Sequence, residues 1–280
     1  MSEKVTFSFG ENWCDYLGTL TDEAIDSAAN EIDQYLKAET LNGKSFIDIG
    51  SGSGIHSLAA HRFGVRNLCS LDVDPRSVEA TTKMWEKAGR PDNWTVKSGS
   101  ILDDDFVREL GSYDIVYSWG VLHHTGSMWE AINNAISLVA PGGQMWIAIY
   151  VDGPNYQRDL DLKKKYNAAT DSGKRWMLRK WIFRDMLRMA KNFENPFIYF
   201  QNNCKRGMNR YNDAIDWLGG LPYEVASAQE ILEFCKSRGL ILEGIEVAPE
   251  GGCSDYVLRH VPELNRSTEE QTPSRVTSSA

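Results

Sequence analysis

Phe46-Ile47-Asp48-Ile49-Gly50-Ser51-Gly52-Ser53-Gly54 is the stretch whose reading decides the fold. An apolar, β-prone run over 45–49 stops at a glycine-rich turn, and helical spacing takes over across 55–63. Glycines let the backbone turn sharply and let a ligand approach without a Cβ in the way. The third glycine follows the second by two positions, giving GxGxG, whereas the dinucleotide fingerprint GxGxxG would put it at Ile55. Asp48 stands directly ahead of the turn. A carboxylate there suits a ligand with an amino group better than a pyrophosphate, which wants helix amides and no anion nearby. A turn of this kind also serves as a plain strand-to-helix connection.

Working outward, the same alternation repeats. The pattern predicts strands over 67–71, 94–97, 113–118 and 144–150, and helices over 75–87, 104–110 and 128–139. Five β units separated by helices indicate a parallel, doubly wound α/β sheet, which binds ligands at the carboxyl ends of its strands near the point where strand order reverses. Residues 151–222 break the rhythm with helical, basic and aromatic sequence. Alternation resumes with a helix over 228–237 and strands over 240–247 and 255–259. Upstream, 7–16 reads as an aromatic arm, followed by a helix that starts after Thr21 and carries Ile25, Ala28, Ala29, Ile32 and Leu36 on one face. The tail after Pro262 is polar and Ser/Thr-rich and is expected to be disordered. The expected organisation is therefore an arm and helix covering the site (1–41), a ligand-binding core (42–150), a basic helical insertion (151–226), completion of the sheet (227–262) and the tail (263–280).

The composition bounds the function. With 280 residues, 42% hydrophobic and 25% charged, the balance is that of a soluble globular protein. No apolar run approaches the ~18 residues of a membrane span, and the N-terminus lacks the basic start and apolar run of a secretory signal. Five cysteines (Cys14, Cys69, Cys204, Cys235, Cys253) form no CxxC pair, which argues against a disulfide framework or structural zinc and for a cytoplasmic location. A net charge of −9 argues against a general nucleic-acid binder. The charge is uneven: residues 151–210 hold fourteen Lys/Arg against six Asp/Glu, inside an otherwise acidic chain.

Three further segments carry chemistry. The second strand ends in Leu71-Asp72-Val73-Asp74-Pro75. A carboxylate about 20 residues beyond the glycine turn is where a ribose diol is held, and Asp72 at the strand tip, with Val73 beside it, is the better candidate. Asp74 is placed to cap the helix that begins at Pro75. After the third strand, Ser100 and the amide of Ile101 are placed to meet an adenine edge. The fourth strand delivers Ser118, Trp119 and Gly120 to the same edge, with His123 and His124 just beyond.

In this order and spacing the segments resemble the class I S-adenosylmethionine (SAM)-dependent methyltransferases, over about 42–150 and again over 228–260. Within that superfamily the chain is similar to the ubiquinone-biosynthesis-type small-molecule enzymes. The strings FGENW, FIDIGSGSG, VYSWGVLHHTG and DWLGGLPYEVA also resemble a bacterial subgroup associated with polysaccharide genes. The resemblance implies a Rossmann-like seven-stranded sheet with its last strand antiparallel and a helical insertion after strand five. It implies SAM as cofactor, with Asp48, Gly50, Ser51, Gly52 and Gly54 at its methionine end, Asp72 and Val73 at the ribose, Ser100 and Ile101 at the adenine, and Ser118 or Trp119 beside the methyl group. Many relatives carry Asp where this chain has Ser100, so Asp103 is a second candidate for the adenine contact.

A sulfonium methyl is already electrophilic, so the protein's main task is alignment in a dry pocket, with a base needed only for a protonated acceptor. His124, and after it His123, are the available imidazoles; His56 and His61 lie on a helix and read as packing or surface residues. No His/Asp/Glu set suggests a metal. Trp13 and Tyr16 of the arm are candidate walls. The insertion carries Trp176, Met177, Trp181, Ile182, Met186, Leu187 and Met189 among arginines. That stripe reads first as a lid or core with a solvated basic face, and otherwise as an anionic-acceptor pocket or a contact for a membrane surface. Arg158, Arg206 and Arg210 are the candidates for holding an anionic small-molecule or sugar acceptor. The competing readings are a SAM-binding sensor or partner protein without transfer, and an RNA methyltransferase, which the acidic core disfavours.

Overall fold

The computed structural model describes residues 9–18, 20–197, 210–249 and 251–262. Lys205 and Arg206 of the basic cluster, and the tail after residue 262, lie outside them. Seven strands, β1 (Ser45–Ile49), β2 (Asn67–Asp72), β3 (Trp94–Ser98), β4 (Tyr113–Trp119), β5 (Val139–Tyr150), β6 (Leu240–Glu246) and β7 (Cys253–His260), form one sheet in the order β3-β2-β1-β4-β5-β7-β6. The first five run parallel, and β7 lies antiparallel between β5 and β6. Strand order reverses between β1 and β4, so a crevice opens at their carboxyl ends.

Ten helices complete the chain in the described residues: α1 (Phe9–Leu17), α2 (Asp22–Leu36), α3 (Ile55–Arg62), α4 (Pro75–Lys87), α5 (Asp104–Leu110), α6 (Met128–Ser137), α7 (Tyr156–Asn167), α8 (Asp171–Lys191), α9 (Arg210–Gly219) and α10 (Ala228–Lys236). Local chemistry sets many of their starts. Thr21 Oγ1 accepts from the Ala24 amide, Asp74 from Arg76 ahead of Pro75, and Asp103 from Asp105 and Phe106; Ser227 and Glu230 form a reciprocal capping box.

The sheet alternates its side chains between two cores. On one face Ile47, Val116 and Ile147 pack against Val107 of α5, Ile132 of α6 and Ile231 of α10. On the other, Phe46, Ile115 and Trp146 meet Ile25 and Ile32 of α2 and Leu58 of α3. The insertion has a smaller core of its own, in which Tyr166, Met177, Leu178, Ile182, Met189, Ala214 and Leu218 bind α7, α8 and α9 together.

Two elements differ from expectation. β5 starts at Val139, paired with Tyr113, before a register shift brings Gln144 opposite Ile115. Much of the aromatic arm is a helix, α1, laid across α4. Gly10 permits the crossing, because a Cβ there would stand 2.4 Å from Arg76 Cβ, and its amide donates to Asp74 Oδ2 at 2.9 Å.

Candidate active site

A cavity of about 810 Å³ occupies the crevice. Its floor is the glycine turn, where Gly50, Gly52 and Gly54 take left-handed φ values of 75°, 52° and 76°. The Gly50 and Ser51 amides donate to the Leu71 carbonyl at 2.8 and 3.0 Å, and Ser51 Oγ pairs with Thr81 Oγ1 at 2.8 Å. A Cβ on Gly50 would run into the Val121 side chain at 2.4 Å, and one on Gly52 into the Trp13 indole at 2.9 Å. The turn thus faces two roofing side chains across a gap that only hydrogen atoms fit.

Two carboxylates stand at this turn. Asp48 is 2% exposed and accepts the Ser57 hydroxyl at 2.5 Å; Asp72 accepts the amides of Gly52 (3.0 Å) and Asp74 (2.9 Å). Burial away from water pushes both up to about 6, against the opposing effect of those hydrogen bonds. Neither forms an ion pair within 4 Å among the described residues, so each retains an anion's demand for a cation or for hydroxyl donors. A ligand bearing an ammonium and a ribose diol supplies both, so these residues fit the methionine and ribose ends of SAM. Val73, Ser100, Ile101 and Trp119 also line the cavity, the Trp119 indole donating to Asp255 Oδ1 at 2.8 Å. Ser118 stays beneath the surface, fully buried, its hydroxyl donating to the Ile49 carbonyl at 2.9 Å. Asp103 is committed to capping α5 and stands outside the lining, so it does not replace Ser100.

The rest of the cavity wall is built from distant segments. Tyr150 at the end of β5, Asp213, Asp216 and Trp217 of α9, and residues 251–253 close it, opposite Phe9 and Trp13 of α1. Asn12 ties the two walls together: its side-chain amide donates to the Asn212 carbonyl at 3.0 Å and to Asp216 Oδ1 at 2.8 Å. The histidine pair divides. His124 lines the cavity, and its Nδ1–H donates to the Pro222 carbonyl at 2.5 Å, which leaves Nε2 as the lone-pair nitrogen. Burial holds it neutral, down to about 3. His123 is fully buried behind it, 4.3 Å from the Tyr150 ring, with its titration also driven well down by burial; it does not reach the cavity.

Behind the same wall sits Lys163, fully buried, its ammonium donating to the Trp217 carbonyl and lying 4.5, 4.6 and 5.5 Å from the Trp217, Tyr223 and Tyr150 rings. Burial brings it down to about 7.

The other expected acceptor residues are placed elsewhere. Tyr16 is buried at 2% exposure and supports Trp13 edge-on rather than lining the cavity. Arg158 points outward and bonds its neighbour Asp159. Arg210 faces a second cavity of about 440 Å³ between α8 and α9, near Asp185. Among the described residues no Lys or Arg lines the main cavity. Its insertion-derived wall is acidic, which the basic composition of the segment concealed. Asp216 and Trp217, absent from the sequence-derived candidates, fall in the DWLGGLPYEVA string, so a signal for them was present.

Comparison with known proteins matches this geometry to a family. The model of the methyltransferase domain family matches residues 22–195. The chain is 32% identical over 108 residues to the ribosomal protein L11 methyltransferase of Staphylococcus carnosus, covering 39% of this chain and 32% of that protein. It is 24% identical over 184 residues to the tRNA U34 carboxymethyltransferase of Methylococcus capsulatus, covering 64% and 55%. The chain thus spans about a third to a half of the length of these curated relatives. Among solved structures, magnesium protoporphyrin IX methyltransferase from Synechocystis PCC 6803 with bound SAH superposes with a TM-score of 0.51 at 13% identity, covering 85% of this chain and 82% of that one. With the family model extending across more than half of its length, and the sheet order and glycine turn in agreement, the chain belongs to the methyltransferase domain family.

Proposed function

We propose that this protein transfers a methyl group from SAM to a small-molecule acceptor by direct displacement. The observation that carries the reading is the pair of buried carboxylates, Asp48 and Asp72, at a glycine cradle that opens onto a cavity large enough for cofactor and acceptor together. SAM, when bound, supplies an electrophilic methyl group. The chain's own residues then bind, orient and exclude water. Asp48 meets the ammonium, Asp72 accepts from the ribose hydroxyls, and Ser100 with Ile101 borders the adenine. Phe9, Trp13, Trp119 and Trp217 dry the space in which nucleophile, methyl carbon and sulfur must align.

His124 acts here by accepting a hydrogen bond at Nε2 from an acceptor O–H or N–H and so aiming its lone pair. As the new bond to the acceptor forms, the methyl–sulfur bond breaks with its electron pair left on sulfur, and the acceptor's proton passes to the carboxylate of Asp213 or Asp216 on the same wall. Burial drives His124 away from its protonated form, so its role is orientation. The carboxylates of Asp213 and Asp216, and the lack of lining cations among the described residues, favour a reactive end that is neutral or cationic, an alcohol or an amine. The anionic acceptor expected from composition loses Arg158 and Arg210 as contacts, and RNA is disfavoured at a wall of this sign. Incubation with methyl-labelled SAM and separate panels of amines, neutral polyols and sugar phosphates, followed by mass spectrometry, tests the reading. S-adenosylhomocysteine with a methylated amine or polyol is the expected product; turnover confined to sugar phosphates would reverse the charge assignment.

A further inference from the structure

α8 carries two apolar stripes on opposite sides. One, with Leu178, Ile182 and Met189, is buried in the insertion's core, and beside it Trp181 stacks on Trp217 at 4.3 Å. The other is in solvent: Trp176 is 61% exposed, Phe183 64% and Leu187 47%. At 3.6 residues per turn these three fall within about 40° of one another on the helix surface. Cations flank them on both sides, Arg175 and Arg179 on one and Lys180, Arg184 and Lys191 on the other. Beyond the first turn the helix holds one acid, Asp185, which is turned inward at 17% exposure and pairs with Arg188. Just past the helix, Phe193 is fully exposed, its backbone in the left-handed region at φ 60°.

We propose that this outer face of α8 seats the protein on an anionic membrane surface. An aromatic and aliphatic stripe bordered by Lys and Arg is the arrangement that buries apolar side chains at the acyl boundary while ammonium and guanidinium groups reach the headgroups. The charge complements an anionic leaflet: the one acid of α8 beyond its first turn, Asp185, faces inward, and Glu194 lies past the helix end. A nucleic-acid duplex would use the cations and leave the central stripe in water. Because the opposite face of α8 backs the cavity through Trp181 and Trp217, docking here would bring the acceptor end toward the bilayer. The inference is independent of the acceptor's identity and of methyl transfer itself.

Flotation of the full chain with phosphatidylcholine vesicles, with and without about a third phosphatidylglycerol, tests it. The protein should float with the anionic vesicles at low salt, stay behind with pure phosphatidylcholine, and be released by high salt. Trp176→Ser/Phe183→Ser/Leu187→Ser should weaken partitioning by about tenfold or more, and Arg179→Gln/Lys180→Gln by roughly fivefold per cation removed. Both variants change exposed side chains, so thermal melting and S-adenosylhomocysteine affinity should match the wild type. The proposal is overturned if the wild type does not float with anionic vesicles or if both variants float as well as it does. It is equally overturned if sedimentation shows a dimer that the triple variant converts to monomer, or if the same residues bind an oligonucleotide in preference to vesicles.

Discussion

Asp48 illustrates how a single side chain can cost stability in the empty protein and return it as ligand affinity. An acid whose folded pKa lies above its unfolded value holds an extra proton in the folded state between about pH 4 and pH 6. Folding is therefore favoured on the acid side, and that contribution is lost as pH rises through about 6. A shift of about two units corresponds to about 3 kcal/mol. Asp48→Asn should remove this dependence: in urea melts of the ligand-free protein the variant should gain on the wild type by about 2–3 kcal/mol between acid and neutral pH. A constant difference across that range would mean that Asp48 ionises without penalty. His124 makes a second prediction at this scale. His124→Gln keeps an acceptor near the Nε2 position, whereas His124→Ala removes it; if orientation is the role, turnover should fall about 10–100-fold in the Ala variant and far less in Gln, with cofactor affinity level. A pH–rate profile with a limb near neutrality that vanishes in His124→Gln would instead make it a base.

At the scale of elements, α1, α7 and α9 decide the shape of the acceptor end. Lys163 of α7 is spent on the Trp217 carbonyl and three rings, without a described ion pair. Its folded pKa, brought down to about 7, lies below the unfolded value, so the folded state binds fewer protons between about pH 7 and pH 10 and stability rises with pH there. Lys163→Met should therefore gain on the wild type as pH falls from about 10 to about 7 and hold that gain below; denaturant melts at the two ends check it. The Asn12 bridge predicts a separable effect. Asn12→Ala should raise the acceptor KM and hydrogen exchange in α1 while leaving the sheet's protection unchanged, because its two bonds join α1 to α9 and touch no strand. Strand and helix positions were legible in the sequence where punctuation is local: Thr21 ahead of α2, Pro75 after Asp74, and the glycine turn after Ile49. The faces of the insertion were not. A run of arginines announces its charge but not its direction, and the two opposed apolar stripes of α8 cancel in any single-face reading.

Across the whole molecule, the sheet and its crevice are the part the sequence specifies most completely, since the carboxyl ends of β1 and β2 and the loop after β3 each carry a residue that lines the cavity. Asp48, Asp72 and Ile101 all reach one cavity without help from distant contacts. Asp213 and Asp216 reach it because α9 packs against α1, α7 and α8, a tertiary event that no local spacing records. Ser118 and His123 were misplaced by alternation of a different kind: each is adjacent to a lining residue, Trp119 or His124, and faces the other way. The central claim, that this cavity is built for SAM around Asp72, is tested most directly by calorimetric titration of S-adenosylhomocysteine into the wild type, Asp72→Ala and Asp103→Ala. The wild type should bind, and Asp72→Ala should lose about 1.5–3 kcal/mol, roughly 10–150-fold in affinity. Asp103→Ala should melt earlier for want of its helix cap yet bind as tightly as the wild type. A wild type that takes up no S-adenosylhomocysteine, or an Asp72→Ala variant that binds it undiminished, would contradict the account.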